Sequence, residues 1–108
     1  MSGKTQQANG DKSVQRIKAI LDKEYAAGHP SAKVDVYRQD AVSVRIRVID
    51  PDFRGKNRVE RDDLLWAILE RLPEQDREDI TMVIPLTPQE QKESLANFEF
   101  EHPTKSDL

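Results

Sequence analysis

The sequence predicts an α+β domain of order α-β-β-α-β-α, two layers deep, with a three-stranded mixed sheet and helices on one face. Three observations carry this. Residues 33–37 and 42–50 alternate apolar and polar side chains with the period of two of a half-buried strand. Residues 13–27 and the stretch from 58 to 72 instead place apolar residues three and four apart, the helical period. Two helix-start signatures, Asn57-x-x-Glu60 and Thr87-Pro88-x-Glu90, then separate the second helix and the last one from what precedes them.

Each element follows from local chemistry. Val14, Ile17, Leu21 and Tyr25, with Ile20 alongside, form the stripe of the first helix; Asp11 or Ser13 can cap it, and Gly28 and Pro30 stop it. Val34 and Val36 lie on one side of the first strand, and Val42, Val44, Ile46 and Val48 on one side of the second. Arg38-Gln39-Asp40 is expected to be the hairpin loop between them. Ser43, Arg45 and Arg47 then point to the wet face. Asp50-Pro51-Asp52 ends the second strand, because proline cannot continue the ladder. Gly55 bends the loop 53–57, and the helix that follows buries Leu65, Leu69 and Leu72 before Pro73. Residues 74–79 are a charged turn or short helix, and 80–86 a mostly buried strand whose Pro85 belongs near a sheet edge. The last helix is expected to reach about Asn97. "FEFE" after it is either a frayed helix end or a short edge strand. The organisation is thus a flexible tail at 1–12, one domain at 13–97 and a C-terminal tail at 98–108.

Composition narrows the function classes. The sequence has no cysteine, which excludes disulfides, thiolate catalysis and cysteine-ligated metals within it. It holds no apolar run of the roughly 20 residues a membrane helix needs, and no apolar leader. A cytoplasmic domain without membrane contact, monomeric or weakly dimeric, is the expectation. Residues 1–61 carry 13 Lys and Arg against 8 Asp and Glu, whereas 62–108 carry 4 against 12. Such a split either marks a dipolar surface or disappears when the two halves mix in space.

No catalytic pattern is present, and no metal or cofactor is implied by spacing. The two histidines, His29 in a turn and His102 near the end, belong to no triad or ligand motif and read as solvated side chains. The stretch that invites a functional reading is "DPDFRGKNRVERDD". Arg54, Lys56, Arg58 and Arg61 lie within eight residues and open a helix, where unpaired N–H groups favour anions. Arg45 and Arg47 extend the stripe onto the sheet, which makes these six the candidate anion or nucleic-acid contacts. Against this, Gly55 stands alone where a KH-type backbone clamp needs G-x-x-G. Tyr37 and Phe53 are the only nearby stacking aromatics, and Glu60, Asp62 and Asp63 weaken the field. Phe53 and Trp66 are also candidate protein contacts. Trp66 flanks the leucine stripe, and where exposed it would be a natural anchor.

The pattern of an alternating strand (VSVRIRVID), then Phe53-Arg54-Gly55-Lys56, then Val59-x-Arg61 opening an apolar helix, then a strand ending Leu86-Thr87-Pro88-x-Glu90, resembles the BolA-like proteins over roughly 13–95. The resemblance implies a fold similar to the type II KH domain. It also implies partnership with a monothiol glutaredoxin, sometimes sharing an iron–sulfur cluster, and for some members nucleic-acid binding. The family's histidine before the last strand falls at Asp79 here, and the one beside the early helix arginine falls at Asp62. The loop expected to carry the other cluster ligand is only Arg38-Gln39-Asp40. Carboxylates are poor ligands for soft iron–sulfur iron. The expectation is therefore a regulatory adaptor without cluster ligands of its own, with Asp79 joining Phe53 and Trp66 as partner-contact candidates; the rival is a KH-like nucleic-acid binder.

Overall fold

Helix α1 (Lys12–Glu24) begins where Asp11 caps it, its carboxylate accepting the Val14 N–H at 3.0 Å. The computed structural model describes residues 11–103; of the tails expected at either end, 1–10 and 104–108 lie outside them. A single 3₁₀ turn, Ala26–Gly28, relaxes the chain into β1 (Lys33–Asp40). The strand continues through Arg38, Gln39 and Asp40, which were expected to form the loop. The turn is Ala41-Val42 instead, and it leaves Val42 68% exposed rather than facing the core. The reason is a register shift between Arg38 and Asp40 that lets Asp40 pair with Ser43 at the start of β2 (Ser43–Ile49).

β2 is the central strand. It pairs antiparallel with β1 and parallel with β3 (Ile80–Leu86), so the sheet is mixed, in the order β1-β2-β3. Pro85 lies on the edge strand, as its missing N–H requires. A second 3₁₀ turn, Pro51–Phe53, capped by Asp50, leads into the basic loop and α2 (Arg58–Leu69). The short α3 (Glu74–Glu78) completes the parallel crossover, and α4 (Pro88–Gln91) and α5 (Leu95–Glu101) follow β3. Both capping boxes form: Asn57 and Glu60 satisfy each other's backbone N–H groups, and so do Thr87 and Glu90.

The main core lies between the sheet and helices α1 and α2. Ile17 and Leu21 meet Leu65, Leu69, Val44, Ile46, Val48 and Phe53, all fully buried. Each such side chain contributes about 1.5–3 kcal/mol by leaving water. The opposite sheet face is covered as well, which the expectation of helices on one face did not include. There α5 packs Phe100 against Ile84 and Leu86, with Tyr37 and Met82 at the margin. "FEFE" is therefore helical up to Glu101, four residues beyond the expected end. It is not an edge strand open to pairing. Ser94 caps α5 by accepting the Asn97 N–H at 3.1 Å.

Candidate partner-binding surface

The six cations of the proposed stripe separate once the chain folds. Arg45 and Arg47 stand on the sheet face that α5 covers. Arg45 Nη1 donates to both the carbonyl and the carboxylate of Glu99 at 3.2 Å. Arg47 donates to Asp35 Oδ2 at 2.9 Å, Asn97 Oδ1 at 2.8 Å and Glu101 Oε2 at 2.6 Å, and its guanidinium lies 4.8 Å from the centre of the Phe100 ring. Neither is a free phosphate contact. The expectation of a wet face fails because α5 supplies both an aromatic and a row of acceptors to that side.

Arg61 is an internal tie. It is only 8% exposed, and its guanidinium donates to Lys56 O at 2.9 Å, Pro85 O at 3.2 Å and both oxygens of Glu90, the closer at 2.6 Å. The Arg61 guanidinium, together with the Thr87 N–H, pulls the Glu90 carboxyl down to about 2. Arg61 thus bolts the start of α2 to the end of β3 and to α4. Arg58 is half committed, donating to Asp62 at 3.0 Å and to Val83 O at 3.1 Å. Arg54 and Lys56 are exposed, and among the described residues neither side chain has a hydrogen-bond or ion-pair partner.

The protein-contact candidates also divide. Phe53 cannot touch a partner: it is fully buried, stacks on Tyr25 with ring centres 5.8 Å apart, and lies beneath the Arg61 guanidinium. A 3₁₀ turn rotates its ring inward, which the sequence pattern alone does not show. Trp66 is half-buried against the core edge. Val59, seven residues earlier on the same side of α2, is 66% exposed. Asp79 accepts from Arg38 at 3.2 Å beside the sheet end where Val44 bonds its carbonyl. It lies at the opposite end of β3 from the Arg61 contacts, so the fold does not bring it to the basic loop.

A shallow cleft of about 450 Å³ opens between the loop, β3 and α4, lined by Lys56, Arg58, Arg61, Pro85, Glu90 and Ser94. Arg61 faces Glu90, Arg58 faces Asp62, and the rim carries Glu93, so the cleft's charge is nearly balanced. The sequence reading also missed a cluster elsewhere: His29 is not simply solvated but faces Asp50 and Asp52 across the β2 terminus. The only signal for it was two turns rich in hydrogen-bonding side chains.

A three-stranded mixed sheet with β3 parallel to the second strand of a hairpin, backed by α1 and α2, defines a small domain of BolA-like fold. Solved structures agree. BolA1 from Arabidopsis thaliana superposes with a TM-score of 0.56 at 20% identity, over 74% of this chain and 96% of that one. The BolA domain of SufE1 from Arabidopsis thaliana gives 0.50 at 22% identity, over 74% and 96%. No protein-family model and no curated protein matches the sequence. No helix among the described residues is long and apolar enough to cross a membrane.

Proposed function

We propose that this domain is a non-enzymatic regulatory adaptor that docks a protein partner, of the monothiol glutaredoxin kind by its BolA likeness, on the start of α2 and the loop before it. The observation that carries the reading is the surface left after internal pairing. Exposed Val59 shares a helix side with half-buried Trp66, and the exposed cations Arg54 and Lys56 lie just upstream. An apolar centre with an aromatic and a charged rim suits a protein contact. A phosphate backbone would need several convergent cations, and four of the six nominated ones are engaged within the fold. Asp62 and Asp79 are each bonded to an arginine, which supports docking without cluster ligands from this chain. The setting that goes with this reading is the reducing cytoplasm.

The test is an amide NMR titration with a monothiol glutaredoxin and, separately, with single-stranded RNA and DNA, each at low and high salt. The reading expects shifts at 54–66 with glutaredoxin, lost in Val59→Asp and weakened in Trp66→Ala. Shifts only with nucleic acid, vanishing at high salt and in a variant lacking Arg54 and Lys56, would replace it with the KH-like alternative. Silence towards both would sink the adaptor reading.

A further inference from the structure

His29 leaves the turn after α1 and lies flat on Tyr25, ring centres 4.1 Å apart and planes 4° apart. Its Nδ1 is 2.8 Å from Asp52 Oδ2 and 3.3 Å from Asp50 Oδ2. All three ligand atoms lie within 4.8 Å of one another. Asp50 is fully buried, yet among the described residues no lysine or arginine pairs with it or with Asp52. A buried carboxylate without a cation is costly. We propose that His29, Asp50 and Asp52 form a binding site for a divalent first-row transition metal ion such as Zn²⁺.

The geometry fits such an ion. Metal–nitrogen and metal–oxygen distances of about 2.0–2.2 Å place neighbouring ligand atoms about 3.0–3.5 Å apart in octahedral or tetrahedral sets. Of the two His29 separations, 3.3 Å lies within that range and 2.8 Å just below it, so small side-chain movements suffice. Charge fits too: two carboxylates and a neutral imidazole balance a dication. One nitrogen with two oxygens is a borderline donor set, which suits zinc, manganese or iron rather than the all-oxygen magnesium or calcium. The ligands are also held in place. The Tyr25 hydroxyl donates to Asp50 Oδ2 at 2.5 Å, and the Asp52 N–H donates to Asp50 Oδ1 at 3.0 Å. Such supporting hydrogen bonds orient metal ligands and tune them. His29 and Asp52 are partly exposed, with side chains 31% and 61% accessible, which leaves an approach for the ion and positions for water.

The experiment uses chelator-treated protein free of any affinity tag, titrated with Zn²⁺ by calorimetry at neutral pH and with Co²⁺ by visible absorption. The expected result is one ion per chain, a rise in thermal midpoint with Zn²⁺, and a d–d band of a nitrogen–oxygen set. His29→Ala and Asp52→Asn, at side chains that are not in the core, should each weaken binding by about tenfold or more while the chelated proteins unfold as wild type does. His102→Ala should bind normally. No saturable one-to-one binding, or binding that survives both His29→Ala and Asp52→Asn, would overturn the proposal.

Discussion

Replacing Glu90 by glutamine isolates the Arg61 junction. Glutamine keeps an oxygen to accept the Thr87 N–H, which Glu90 accepts at 3.0 Å, so the α4 cap survives. It loses the charge facing a guanidinium that is 8% exposed. Stripping one partner from a fully buried pair costs about 3–5 kcal/mol. The Glu90 side chain is 44% exposed, so water screens part of this, and a loss of about 2 kcal/mol is expected. The pH dependence adds a second signature. The Glu90 carboxyl falls from its ordinary 4.5 to about 2 in the folded protein. Its contribution is therefore complete above about 4.5. It declines as the unfolded chain takes up the proton and is gone once pH passes below about 2. Urea unfolding should show wild type losing about 1 kcal/mol more than Glu90→Gln between pH 7 and pH 3, after screening is allowed for. Equal stability of the two proteins at pH 7, or parallel curves from pH 7 to pH 3, would refute the junction.

Three further outcomes can be checked. Asp76 is fully buried and accepts Arg16 at 2.6 and 2.8 Å and Ser13 at 2.6 Å; Asp76→Ala should cost about 2–3 kcal/mol and lower the thermal midpoint by about 10 °C or more. Gly55 has φ +86° with open space around it, so Gly55→Ala should cost about 1 kcal/mol of backbone strain in urea unfolding and nothing from crowding. Phe100→Ala removes the ring shared by Tyr37 and Arg47. Hydrogen exchange at 95–101 should then accelerate while Val44, Ile46 and Val48 stay protected.

Much of the fold was legible because its signals are local. The caps at Asn57 and Thr87, the alternation of β2 and the breaks at Pro51 and Pro73 all act within a few residues. What stayed hidden needs distance. Four residues of "FEFE" carry no period, and only the Phe100 contact with Ile84 and Leu86 makes them a helix on the second face. That contact decides the fate of Arg45 and Arg47, which alternation alone assigns to water. Phe53 was misread because a one-turn 3₁₀ segment, not a loop, aims its ring. His29 reaches Asp50 and Asp52 across 21 and 23 positions of chain, beyond any spacing rule.

The pairing of a basic first half with an acidic second half also has a history in time. Arg45 and Arg47 find Glu99 and Glu101, each 54 residues further on. On a ribosome adding ~5–20 residues per second, the arginines wait about 3–10 s for those acids. Until residue 86 is made the β1–β2 hairpin has no β3 at its edge, and for the whole interval it has no α5 on its second face. With only Asp35 opposite Arg47, the strand keeps an excess of positive charge that repels copies of itself and discourages edge-to-edge association between nascent chains. The side chains that finish as internal ties thus begin as guards, and the last helix to emerge retires them.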